Sequence, residues 1–192
     1  GPCAPDYSTY QDALDILAKY HLGPDSIPQS VLSHLQGGVA GEVPETLKEA
    51  DLQNACVSNH VIATAYKSLE AAAEYVRTQG YEPVILGDTI TGEAQDVGRE
   101  QAALAQQHLL TKATKPIALI SGGECTVTIP NAIKGRGGRC SEYLLSLFSA
   151  STELPNISAL AADTDGIDGS EKNAGAWFAP AMRQAAREQH LI

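Results

Sequence analysis

The sequence predicts an α/β fold with its strands in a parallel sheet, and three observations carry that expectation. Apolar runs of strand length alternate with long amphipathic stretches through the middle of the chain, the order produced by crossover connections between parallel strands. Aromatic residues make up only 5% while alanine and glycine are abundant, which suits helices packed closely on a sheet better than an aromatic-rich β-sandwich. Clusters of glycine and acid follow the strand-like runs, where open α/β sheets bind their ligands.

Taken in order, residues 10–20 place Ala13, Leu14, Ile16 and Leu17 at helical spacing, and His21-Leu22-Gly23-Pro24 ends that helix. A second short helix is expected over residues 27–35, closed by Gly37-Gly38, and the polar stretch 41–51 reads as a surface loop. Residues 54–57 form a strand candidate running into Ser58-Asn59, and residues 60–80 a long alanine-rich helix. A strand over 82–86 ends at Gly87-Asp88, and a helix follows from Gly92 to Leu110. The apolar run 116–121 is a strand stopping at Gly122-Gly123, and 124–129 alternates as a further strand. Residues 142–150 form an apolar helix, 157–162 a strand and 174–189 a final helix. Two lysines and two threonines over 111–115 interrupt the pattern and mark a boundary there.

With 43% hydrophobic and 19% charged residues, the chain has an ordinary globular balance rather than a disordered one. The net charge of −10 repels a phosphate backbone and argues against nucleic-acid binding. No apolar run reaches the roughly 18 residues of a membrane helix, and the start lacks a signal-peptide pattern. The expectation is a soluble, cytoplasmic protein, compatible with a homo-oligomer. Cys3, Cys56, Cys125 and Cys140 match neither a zinc site nor a disulfide framework, and read as reduced thiols. The first residue is Gly and the chain stops inside a helical pattern, so both ends read as cut.

Four polar clusters fall at expected strand ends. Ser58 and Asn59 form the first and Gly87-Asp88 the second. In the third, Ser121-Gly122-Gly123-Glu124, the glycines would let backbone N–H groups approach an anion; a tight turn between strands is the other reading. The fourth is Asp163-Thr164-Asp165-Gly166-Ile167-Asp168-Gly169. Its three acids offer the hard oxygens that Mg²⁺ prefers, and Asp165 and Asp168 are the candidate metal ligands; helix capping by Ser170 or Asp168 is the alternative. Between the last two lies Lys134-Gly135-Arg136-Gly137-Gly138-Arg139, three cations among three glycines before a helix. Such a helix start attracts phosphate, although no G-x-x-x-x-G-K-[ST] loop occurs and a solvated loop is equally open.

These clusters, in this order, resemble the signature blocks of the MOFRL family: Ile120-Ser121-Gly122-Gly123-Glu124-Cys125-Thr126-Val127-Thr128, then K-G-R-G-G-R, then D-T-D-G-I-D-G with Asn173-Ala174-Gly175. That family comprises class II glycerate kinases and proteins called hydroxypyruvate reductases. Upstream, Gly1-Pro2 with Pro5-Asp6, Ser58-Asn59, and Leu86-Gly87-Asp88 with Gly92-Glu93-Ala94 are also similar to it. The resemblance implies a parallel, Rossmann-like sheet portion over residues 1–112, followed by a smaller α/β MOFRL domain over 113–192, C-terminally truncated. It implies a longer parent enzyme with its cleft between two domains, and a chain inactive in isolation.

The implied activity is transfer of the γ-phosphoryl group of ATP to the 2-hydroxyl of D-glycerate, with Mg²⁺ as cofactor. Asp163, Asp165 and Arg139 are then the catalytic candidates. Ser58, Asn59, Gly122, Gly123, Glu124, Thr126, Lys134, Gly135, Arg136, Gly137, Gly138 and Gly166 are the candidates for binding substrate or nucleotide. An NAD(P)H-dependent hydroxypyruvate reductase is the alternative, though no G-x-G-x-x-G follows a strand; a non-catalytic fragment is the third reading. Cys140 stands where many family members carry Asn, and Cys3 where Thr is common.

Overall fold

The computed structural model describes residues 4–53, 56–111, 113–129, 135–154 and 156–191. Backbone contacts divide the chain into two compact units, Gly1–Ile62 and Ala63–Ile192. The boundary expected between 112 and 113 falls inside the second unit, in the connection before its second strand. Among the described residues, no helix is long and apolar enough to cross a membrane.

The first unit contains α1 (Tyr10–Lys19), α2 (Gln29–Val39) and the short α3 (Glu49–Leu52). A capping box starts α1: the Asp12 N–H donates to Thr9 Oγ1 at 3.2 Å, and the Thr9 N–H to Asp12 Oδ2 at 2.7 Å. Contrary to expectation, α2 does not stop at Gly37-Gly38 but runs through both to Val39. The reason is packing. Gly38 lies against the Tyr10 ring, where any Cβ would overlap it, so this glycine serves close approach of α1 and α2 rather than termination. His34 meets the same ring edge-on, with centroids 5.6 Å apart. Lys48 Nζ ties the preceding segment down by donating to the carbonyls of Asp6 (2.9 Å) and Ser8 (2.6 Å). Cys56 and Val57 are exposed and lie in no strand, while Asn54 and Ala55 of that expected strand lie outside the described residues.

The second unit runs α4 (Ala65–Thr78), β1 (Glu82–Glu93), α5 (Ala94–Leu109), β2 (Ile117–Thr126), α6 (Arg139–Ala150), β3 (Ala159–Ala162), β4 (Gly175–Phe178) and α7 (Pro180–Glu188). Its first helix begins five residues later than expected, because Thr64 caps it by accepting from the Lys67 N–H at 3.2 Å. As expected, β1 and β2 pair in parallel, from Glu82 opposite Ile117 to Glu93 opposite Thr126. Both strands outrun their expected ends. Gly87-Asp88 lies within β1, between two register shifts, and Gly122-Gly123 lies within β2. Gly123 has φ +152° and faces the Ile90 backbone so closely that no side chain fits; its smallness lets the strands continue instead of turning.

The core forms where α5 and the β3–β4 pair cover α6: Ala102, Leu144, Leu147 and Phe178 are buried, with Phe148, Ala159, Ala161 and Ala176 against them. Gly98 lets α5 approach α6, since a Cβ there would lie 2.6 Å from the Tyr143 carbonyl oxygen. The expected final helix over 174–189 is instead β4 followed by α7, with Pro180 in the first turn, a position where its missing N–H costs nothing. Strand β4 pairs antiparallel with β3, Ala159 opposite Phe178 and Leu160 opposite Trp177. Alternation turns Phe178 into the core and leaves Leu160 (74%) and Trp177 (60%) largely exposed. Arg183 of α7 is buried at the far end of α6. It donates to the Phe148 carbonyl (2.8 Å) and Ser151 Oγ (2.6 Å), with its guanidinium carbon 4.6 and 4.9 Å from the Phe148 and Phe178 ring centroids.

Candidate functional site

The basic and acidic turns lie side by side. Gly138 precedes the first residue of α6, Arg139, so the K-G-R-G-G-R segment delivers its last cation directly onto that helix. The acidic segment leaves β3 at Asp163 and returns into β4, closed by the Asp163 N–H bonding the Ala174 carbonyl at 2.7 Å. Within it, the Asp165 N–H reaches Asp163 Oδ1 (3.4 Å), the Ile167 N–H reaches Asp165 Oδ1 (2.8 Å), and Gly166 takes φ +87°.

The two turns are joined at several points. The Ser170 N–H donates to the Gly137 carbonyl at 3.1 Å, and the Gly137 N–H donates to Ser170 Oγ at 3.2 Å. Arg136 forms a two-pronged pair with Glu171, Nε to Oε1 at 2.9 Å and Nη2 to Oε2 at 2.8 Å. Hydrogen bonding to Arg136 holds the Glu171 carboxyl below its ordinary range. Arg139 spans two elements: Nη1 pairs with Glu124 of β2, and Nη2 with Asp163 Oδ2 at 2.9 Å. Its guanidinium is pushed further toward the charged form, first by the Glu124 hydrogen bond and then by that carboxylate's charge.

Asp168 is fully buried beneath both turns. The Cys140 N–H donates to its Oδ1 at 2.9 Å, the Ser141 N–H to its Oδ2 at 2.9 Å, and the Ser141 hydroxyl to Oδ2 as well. Two N–H groups in the first turn of α6, which an incoming phosphate would otherwise use, are therefore already satisfied. Burial, then the charges of Asp168 and Asp163, push the Cys140 thiol up and away from a reactive thiolate.

The structure thus brings together Glu124, Arg136, Gly137, Gly138, Arg139, Asp163, Asp165, Gly166 and Asp168. Thr126, on β2, donates to Glu93 Oε2 at 3.2 Å, and the same carboxylate receives the Thr128 N–H at 2.6 Å. A Cβ on Gly122 would meet Leu69 and the Asp88 backbone at ordinary contact distance, and one on Gly135 would meet open space. Lys134 lies outside the described residues. Ser58 and Asn59 belong to the first unit, where Ser58 Oγ lies 2.8 Å from His60 Nε2. Sequence reasoning gave Glu93, Ser141 and Glu171 no role at the site and considered Ser170 only as a helix cap. Glu171 offered a signal, as a fourth acid just past the acidic turn. Among the described residues, no three His, Cys, Asp or Glu side chains gather as a metal-holding group.

This pairing of turns sits in the segment 117–192, which matches the MOFRL family. Over 189 residues it is 39% identical to an Agrobacterium vitis protein provisionally named a hydroxypyruvate reductase, covering 94% of this chain and 44% of that protein. Over 179 residues it is 37% identical to a glycerate 2-kinase of Pyrococcus horikoshii, covering 91% and 39%. The crystal structure of a glycerate kinase from Thermotoga maritima superposes with a TM-score of 0.71 at 28% identity, covering 97% of this chain and 42% of that one. The chain spans less than half the length of each of these relatives.

Proposed function

We propose that this chain supplies part of the active site of a glycerate 2-kinase, transferring the γ-phosphoryl group of ATP to the 2-hydroxyl of D-glycerate. The observation that carries the reading is Arg139, held between Glu124 and Asp163 where a basic and an acidic turn meet. Phosphoryl transfer asks a protein mainly for positioning and for charge neutralisation. Arg139 and Arg136 supply the cations that steady the negative oxygens of the transferred group. Asp165, exposed on the neighbouring turn, orients the substrate hydroxyl and accepts its proton as the new O–P bond forms and the γ-phosphorus–oxygen bond to ADP breaks.

The donor set suits Mg²⁺ in the manner usual for phosphoryl-transfer sites, one or two carboxylates completed by phosphate oxygens and water. Asp163, through the Oδ1 that Arg139 leaves free, would hold it, with Asp165 left to the substrate hydroxyl, while both oxygens of Asp168 are engaged by α6. Bound there, the ion would neutralise charge on the phosphates. The kinase names of the Pyrococcus and Thermotoga relatives support this reading.

The test is a coupled assay on the protein at its full natural length. The expected result is glycerate-dependent ADP formation, with the product identified as 2-phosphoglycerate by phosphorus NMR. Hydroxypyruvate-dependent oxidation of NADH or NADPH without ADP formation would overturn the reading in favour of a reductase.

A further inference from the structure

We propose that Asp168 is a positioning residue: its carboxylate is the built-in counter-ion of the α6 N-terminus, and by docking there it fixes Arg139 relative to Asp163. All three donors to this carboxylate come from Cys140 and Ser141, the two residues after Arg139. Its own backbone anchors the acidic turn, with the Asp168 N–H bonding the Asn173 carbonyl (2.8 Å) and the Glu171 N–H bonding the Asp168 carbonyl (3.2 Å). One side chain therefore joins the start of α6 to the acidic turn.

The fit around it is tight on both sides. A Cβ on Gly138 would overlap Asp168, and a Cβ on Gly169, at φ +62°, would overlap the Gly137 carbonyl. Gly138, which looks phosphate-binding in sequence, and Gly169 of the acidic turn are thus explained by the docking of this carboxylate. A helix N-terminus carries partial positive charge and unsatisfied donors. Here they are met internally, so a phosphate arriving at this site is held by Arg136 and Arg139 rather than by the helix end.

The catalytic part of the inference rests on the kinase reading; the docking part does not. Two experiments on the full-length protein separate them. Asp168→Ala removes the carboxylate and leaves a space that formate can enter. The expected result is a Tm lower by roughly 10 °C, partly restored by formate and not by chloride at equal ionic strength. No recovery with formate overturns the docking claim, and recovery in a protein without kinase activity keeps the docking while sinking the kinase reading.

Asp168→Asn preserves shape while removing the charge. It is expected to lower kcat by about tenfold to a hundredfold, the scale of a small misplacement, with KM for glycerate and the Mg²⁺ concentration for half-maximal rate both nearly unchanged. A steep rise in the Mg²⁺ requirement would instead make Asp168 a metal ligand and overturn the proposal.

Discussion

Replacing Arg139 by lysine separates a catalytic cation from a structural strut, and the structure sets the scale of each effect. The Arg139 side chain is 38% exposed, Glu124 is 77% exposed and Asp163 20%. The Glu124 arm is an ordinary surface pair that contributes little, and the Asp163 arm, though more sheltered, is also screened at the Arg139 end. A lysine reaches one carboxylate at a time and lacks the planar fork. The expected stability loss is therefore small, a Tm lower by no more than a few degrees. Loss of a cation aimed at developing charge costs far more in rate, typically about 10²–10³-fold in kcat. Differential scanning fluorimetry and initial rates of glycerate-dependent ADP formation read the two quantities on one sample. The reasoning is refuted if Tm collapses while turnover per folded molecule stays within about threefold of the parent, for then Arg139 only holds Glu124 and Asp163 together.

Two further predictions concern the scaffold. Leu147 lies in the core under α6, and Leu147→Ala is expected to cost about 2–5 kcal/mol; urea denaturation should show a lower midpoint. Burial pushes the Tyr143 phenol up to about 12, and its hydroxyl donates to Gln101 Oε1 at 2.6 Å. Because the folded value lies above the unfolded one of about 10, this contribution is whole below pH 10 and is lost as pH rises from there toward 12. Tyr143→Phe should flatten that alkaline loss of stability, measured as Tm against pH.

Much of the fold is legible from periodicity. The α1, α5 and α6 stripes predict their elements to within a few residues, and the apolar run of β2 predicts where that strand begins, because apolar periodicity is strongest there. The glycine pairs mislead, since one letter serves opposite ends. Gly38 permits helices to touch, Gly123 permits strands to touch, and neither ends its element. The missed β4 has a similar origin: Ala176, Trp177 and Phe178 fit a helix as readily as a strand until pairing with β3 decides. At the candidate site, the residue types in the two turns announce their charge, but nothing local reveals which charges meet. That Glu171 answers Arg136, across 35 positions, is a fact of folding alone. Asp168 is the clearest case: as one of three acids in a loop it suggests a metal, and only its burial and its donors reveal the helix it serves.

The buried Arg183 gives α6 its other boundary. With a carboxylate at its first turn and a guanidinium at its last carbonyls, this twelve-residue helix is closed by opposite counter-charges at both poles. The helix spans about 18 Å, and each counter-charge meets the dipole pole of opposite sign.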